Sequence, residues 1–445
     1  MTHEYFPSVS TPVSYQGPDT DDPLAFSFYD PQRTVGDQTM AEHLRFAVAY
    51  WHTFRGDGSD MFGAPTFDRE WRSGTDPMDC ARKTMDAAFE FFRKLGVDYY
   101  CFHDLDIAPQ GDSYAETRDH FREMIEYAKE CQEDVGVQPL WGTANLFSDP
   151  IYTHGAASSP DAEIFAHAAA QVKNTMEATH ELGGENYVFW GGREGYTHLL
   201  HTDYQREQKQ LARFFEMAVE HKKDIGFEGQ LLIEPKPMEP TKHQYDFDAA
   251  TVLHFLEAND LKDEFNLNIE SNHATLAHHT FDHELRVAAA AGTLGSIDAN
   301  RGDTLLGWDT DLFPNDLYET TRAMLAVFES GGIAPGGFNF DAKVRRGSIR
   351  TEDLFHAHVG AMDTFARGLL LAHQILEDGV LDEFRDRRYE SYQQGLGRRI
   401  LNGDTDFEEL EEHVINRDKP SLASGRQEEL KNVLNSYIGR ENTRS

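Results

Sequence analysis

Eight short strand-like runs alternate with amphipathic helical segments along most of this 445-residue chain. The runs are AVAYWHTF, VDYYCFHD, VGVQPLWG, NYVFWGG, QLLIEPKP, FNLNIES, TLGSIDAN and GGFNFDAK. Between them stand segments such as CARKTMDAAFEFFRKLG, TRDHFREMIEYAKECQED, QREQKQLARFFEMAVEHKKDIG and LYETTRAMLAVFESGG. Their apolar residues recur at spacings of three and four, and several end at Gly, which stops a helix. Strands that are apolar on both faces and separated by helices belong in a covered parallel sheet. The pattern therefore predicts an α/β chain, and eight repeats predict a closed (β/α)₈ barrel with inserted loops. The alternative is an open doubly wound sheet. No Gly-rich dinucleotide turn follows the first strand, which argues against it.

The barrel is expected over residues 46–385. Residues 1–45 are rich in Pro, Asp and Ser and read as an irregular lead-in. Residues 386–445, with RDRRYESYQQGLGRRILNG reaching into them, are polar, helical in pattern and free of strand signals. They are read as a C-terminal helical arm that makes subunit contacts, the alternative being a solvated appendage on the same barrel.

Net charge is −36, from 41 Lys and Arg against 77 Asp and Glu. Such a field repels nucleic acid and anionic membrane, and it suits cations and neutral substrates. Most of this acid must lie on the surface, as a solubility charge or as adaptation to a salty cytoplasm. A melting temperature that rises with KCl distinguishes the second reading. No run of about eighteen apolar residues exists, so no membrane span is expected. The N-terminus carries no secretory pattern. Three cysteines, Cys80, Cys101 and Cys131, give no disulfide framework and suit a reducing, cytoplasmic setting.

The chemistry is expected where strand runs stop at acids. Glu234 ends the fifth run, Glu270 the sixth, Asp298 the seventh and Asp341 the eighth; Asp309 and Asp311 follow in the next loop after the seventh. A carboxylate buried alone costs several kcal/mol, so such groups must be paired, protonated or metal-bound. In barrels of this kind the C-terminal strand ends carry the site. Asp309 and Asp311 are expected on one side of an extended segment, with Thr310 turned away. His273 stands three residues after Glu270 and can reach the same centre. Oxygen ligands with one imidazole suit Mg²⁺, Mn²⁺ or Co²⁺. This many ligands calls for two ions sharing a carboxylate. Lys236 can stabilise a developing oxyanion. His103 with Asp106 can shuttle a proton. Each residue alone has a structural reading: His103 as a satisfied core histidine, Lys236 as a salt-bridged lysine, WGGREGY as a tight turn, WDTD as a capping set. Their concurrence at one end of successive strands favours the site.

The segments FHDLD, LWGTANLF, VFWGGREGY, IEPKP, NIESNHATLA, GSIDANRGD, WDTDLFP and NFDAKVRR, in that order from about residue 46 to 350, resemble those of the xylose isomerase family, in its larger class. The resemblance implies that Glu234, Glu270, Asp298 and Asp341 hold one metal, and that Glu270, His273, Asp309 and Asp311 hold a second, with Glu270 bridging. It implies that His103 and Asp106 open the sugar ring and that Lys236 meets substrate O1. Trp141 and Val188 would wall the sugar. Phe62 would enter from a neighbouring subunit, in a homotetramer. The implied reaction interconverts D-xylose and D-xylulose, and D-glucose and D-fructose, by metal-assisted ring opening and a 1,2-hydride shift. Two divalent cations per subunit, Mg²⁺ first, follow from the same likeness. His278, where the family often has Gly, and the charged Arg55–Asp57 loop depart from the pattern without touching a ligand position. Other readings are an isomerase of rhamnose or another aldose, a metal-dependent DNA phosphodiesterase, and a non-catalytic metal- or sugar-binding protein. The charge opposes the phosphodiesterase, and Lys236 with His103 and Asp106 disfavours the non-catalytic protein.

Overall fold

The computed structural model describes residues 3–439. Eight parallel strands close into a barrel in chain order. They are β1 (Phe46–Ala49), β2 (Tyr99–His103), β3 (Gln138–Thr143), β4 (Asn186–Trp190), β5 (Gln230–Glu234), β6 (Phe265–Glu270), β7 (Leu294–Asp298) and β8 (Phe338–Phe340). Six lie within the runs read from the sequence, while β1 begins one residue before its run and β3 ends one residue after its run; β8 pairs with β1 to complete the ring. The strands are buried on both faces, as parallel barrel strands must be. Ala47, Cys101, Leu140, Trp141, Val188 and Leu232 pack together as one apolar cluster contributed by β1 to β5.

A long helix follows each strand: α1 (Pro77–Leu95), α2 (Tyr114–Val135), α3 (Ala162–Glu181), α4 (Tyr204–Ile225), α5 (Ala249–Ala258), α6 (Phe281–Ala290), α7 (Leu317–Glu329) and α8 (Glu352–Glu377). Asp76, Ser113, Asp161, Asp203, Asp248 and Asp316 each cap a helix start through the side chain. A cap of this kind is worth about 1 kcal/mol. Gly96 and Gly226 stop α1 and α4 in the left-handed conformation, which a side chain would disfavour.

Three strands lead straight into short helices without a loop. Tyr50–Phe54 continues β1, Asp104–Ile107 continues β2, and Ser271–Leu276 continues β6. Their N-cap residues are the last strand residues Ala49, His103 and Glu270, and none caps through its side chain. His103 and Glu270 thus leave helix ends uncapped, at a cost of about 1 kcal/mol each. In exchange, one helical turn brings Asp106 back beside His103 and His273 back beside Glu270.

The N-terminal segment has little regular structure but is firmly packed. Phe6 is fully buried against Trp71, Phe91 and Phe355. Burying such a ring stabilises by about 2 kcal/mol. The Glu90 carboxylate accepts the backbone N–H groups of Tyr5 at 2.7 Å and Phe6 at 3.0 Å. Asp363 does the same for Ser27, Phe28 and Tyr29. The chain divides into two compact units between Gly368 and Leu369. In the second, the described residues form the end of α8 and helices Val380–Tyr389, Gly395–Leu401, Phe407–Ile415 and Gln427–Ile438. Tyr437 donates to Asp378 at 2.7 Å within this unit, while Leu401, Phe407, Val414 and Ile415 stand exposed. Among the described residues, no helix is long and apolar enough to cross a membrane.

Candidate active site

A cavity of about 190 Å³ opens at the C-terminal strand ends. Glu234, Lys236, His273, Asp309, Asp311 and Asp341 line one side of it. Trp51, His52, His103, Trp141, Thr143, Phe147, Val188 and Trp190 complete the wall. Register sets the arrangement: Glu270 lies beside Asp298 on adjacent strands, and Trp190 beside Glu234.

Glu234, Glu270, Asp298 and Asp341 offer oxygens that all lie within 4.8 Å of one another. Glu270, Asp309 and Asp311 form a second such group, and Glu234, Glu270 and His273 a third. Glu270 belongs to all three. His273 Nε2 lies 3.1 Å from Glu270 and 3.4 Å from Asp309, and its Nδ1 lies 3.4 Å from Glu234.

This much buried acid is unstable without a counterion. Burial, with Asp298 and Asp341 close by, pushes the Glu234 carboxyl well above its ordinary range. Burial and the neighbouring Asp309 and Asp341 do the same to Glu270. Asp298 is pushed up to about 8 by burial and Asp341, and Asp311 to about 7 by burial and Asp309. Burial opposes ionisation of Asp309 and Asp341 too. Yet Lys236 and His273 hold Asp309 well below the usual carboxylate range, and His52 holds Asp341 below it. Glu270 Oε2 and His273 Nδ1 are buried without a hydrogen-bond partner. Divalent cations fit this donor set, since they supply the missing charge and occupy the orphaned atoms.

Asp309 and Asp311 both face the cavity, but not from an extended segment. Asp311 has φ of 44°, in the left-handed region, at a cost of about 1 kcal/mol. Lys343 and Arg345 hold it there: Lys343 Nζ donates to its carboxylate and Arg345 to its backbone oxygen, each at 2.7 Å. Thr310 turns away and donates to Arg301 O.

Lys236 pairs with Asp309 and lies 5.3 Å above the Trp190 ring. Burial disfavours its charge, but Asp309 and Glu270 outweigh this and raise it above the ordinary lysine value. His103 Nδ1 lies 2.9 Å from Asp106 Oδ2, and its ring meets Trp51 edge-on at 4.4 Å. Phe62 is 79% exposed, sits 4.9 Å from the Trp308 ring and lies outside the cavity of its own chain.

The chain is 56% identical over 434 residues to xylose isomerases of Bacillus sp. (strain LW2) and Geobacillus stearothermophilus, covering 98% of each chain. It is 55% identical over 435 residues to that of Thermotoga neapolitana, again covering 98% of both. The chain belongs to the xylose isomerase family. Residues 385–438 match the family described as the XylA2 C-terminal domain. A crystal structure of a candidate xylose isomerase from Rhodospirillum rubrum ATCC 11170 is 12% identical. It covers 72% of this chain and 98% of its own, with a TM-score of 0.50, and supports the barrel fold alone.

Several residues around this xylose isomerase centre escaped the sequence reading. The short helix Tyr50–Phe54 that continues β1, given no role there, contributes Trp51 and His52. Trp51 Nε1 donates to Asp341 Oδ1 at 2.9 Å, and His52 Nε2 lies 3.0 Å from the same oxygen and 3.5 Å from Asp311. Asn268 donates to Glu234 at 3.1 Å and to Asp298 at 2.9 Å, and Asn339 donates to Asp298 at 2.9 Å. Asn300 donates to Glu270 at 2.7 Å. Such amides orient ligand carboxylates. A signal was present: Asn268, Asn300 and Asn339 each stand two residues from an acid, and Asn268 shares a strand face with Glu270.

Proposed function

We propose that the chain interconverts D-xylose and D-xylulose, and D-glucose and D-fructose less efficiently. The observation that carries this reading is the convergence of the acids, Lys236 and the His103–Asp106 pair on one aromatic-walled cavity. The ligand sets are Glu234, Glu270, Asp298 and Asp341 for one ion, and Glu270, His273, Asp309 and Asp311 for the other. Bound there, two divalent cations, Mg²⁺ first with Mn²⁺ or Co²⁺ as alternatives, would supply Lewis-acid polarisation of the sugar oxygens.

The remaining chemistry falls to the side chains. With the Nδ1 proton held by Asp106, His103 Nε2 takes the O1 hydroxyl proton and passes it to the ring oxygen as the bond between C1 and that oxygen breaks. In the open chain hydrogen moves with its electron pair from C2 to C1, C2 becomes the carbonyl, and the proton that O2 gives up is matched by the one that O1 takes on. O1 gains negative charge, which the Lys236 ammonium stabilises until it is protonated. Trp51, Trp141, Phe147 and Trp190 keep bulk water from the migrating hydrogen. Phe62 would reach the cavity of a neighbouring subunit, with the exposed apolar side chains of the C-terminal helices making contacts in a cytoplasmic homotetramer.

A coupled assay on D-xylose tests the reading. Activity is expected to vanish after EDTA and return with Mg²⁺; no turnover with Mg²⁺, Mn²⁺ or Co²⁺ would overturn it. Tritium placed at C2 is expected to stay with the product, whereas release into water would mean a proton-transfer enediol route. Substituting His103→Gln is expected to slow turnover of the ring form by about 100-fold while sparing open-chain sugar. Equal slowing of both forms would remove its ring-opening role.

A further inference from the structure

A second group of metal-ligating side chains lies on the turn between the Ser271–Leu276 helix and α6. The chain reverses at His278, which has φ of 60°. His279 N then bonds back to Ala274 O at 2.9 Å, and His283 N bonds to Thr280 O at 2.9 Å. These turns bring His279, His283 and Glu284 together, with one ligand atom from each lying within 4.8 Å of the others. Glu284 Oε1 lies 2.6 Å from His279 Nδ1 and 3.9 Å from His283 Nε2. Donor atoms around one tetrahedral ion at about 2.0–2.1 Å stand about 3.3 Å apart, and the two separations bracket that value.

The carboxylate is built in rather than incidental. Its side chain is only 5% exposed, and its other oxygen accepts the Ala249 N–H at the start of α5 at 2.8 Å. That bond fixes the orientation of the oxygen facing the histidines, as partners behind a metal ligand commonly do. The His283 side chain is 51% exposed, which gives an ion a route in and leaves room for water as a fourth ligand. Two imidazoles and one carboxylate favour a borderline transition metal over Mg²⁺. This is the reverse of the oxygen-rich centre. Glu284 also borders a small cavity that Glu270 and His273 line as well.

We propose that His279, His283 and Glu284 form a further cation site, taking Zn²⁺ or Cu²⁺, that clamps the turn behind the His273 helix. The bland reading is a His279–Glu284 hydrogen bond that only braces the turn.

Equilibrium dialysis of the full-length Mg²⁺-loaded protein against Cu²⁺ tests the proposal, comparing wild type with His283→Ala and His279→Gln. Wild type is expected to bind one more Cu²⁺ per chain than either variant. Its paramagnetic resonance spectrum is expected to show coupling to two imidazole nitrogens, lost in both variants. His283 is exposed enough for its substitution to leave the fold intact, which the melting curve without Cu²⁺ checks. Equal copper counts in all three proteins, with no two-imidazole signal, would overturn the proposal.

Discussion

Exchanging Glu270 for Gln is expected to weaken both ligand sets together and to lower turnover by about a thousandfold. The substitution keeps shape and removes one charge. Glu270 alone belongs to every acidic group around the cavity, so no neighbour can take its place. Gln could still meet the Asn300 side chain through its carbonyl oxygen, so the local packing should survive. The comparison is Asp298→Asn, which touches only the first set and should leave the Glu270, His273, Asp309 and Asp311 set able to bind. Metal counted after dialysis, beside kcat, reads the difference. A Glu270→Gln protein that retains one ion at wild-type affinity would contradict the bridging role.

Stripped of divalent ions, the protein is expected to lose stability steadily between about pH 4 and 8. The sign follows from four carboxyls. Glu234 and Glu270 sit well above their ordinary values, Asp298 at about 8 and Asp311 at about 7. In that window the folded chain holds protons that the unfolded chain has released. Stability therefore falls as pH rises, by about 1.4 kcal/mol per pH unit for each group still protonated. Asp309 and Asp341 are lowered, so their contribution is lost only as pH falls below the ordinary carboxylate range. His52 is raised and His273 lowered, so they act with opposite sign around the ordinary imidazole value. Divalent ions need the acids ionised, so binding should release protons and tighten as pH rises. Thermal melts with and without EDTA from pH 5 to 8 read the effect. Parallel curves, with no widening gap at high pH, would show that the acids are not held protonated.

The barrel was legible because parallel strands buried on both faces read as unbroken apolar runs, each stopped by polar residues. The acids stood out for the same reason. A carboxylate at the end of an apolar run has no solvent-exposed excuse. Trp51 and His52 did not stand out, since the short helix after β1 is made of residues that also suit a core. The amides Asn268, Asn300 and Asn339 look like ordinary surface residues until neighbouring strands turn them inward. The N-terminal segment looked loose because its anchors, Glu90 and Asp363, lie far along the chain.

The order and identity of the staves, and the acids that end them, are properties of the sequence, because apolar periodicity and the penalty on buried charge are local in the chain. Which oxygens come within reach of one another, which imidazole faces which carboxylate, and that Asp311 arrives through a left-handed turn were decided only by the closed barrel. Those relations depend on strand register and ring closure, which set distances between residues that the linear chain keeps far apart.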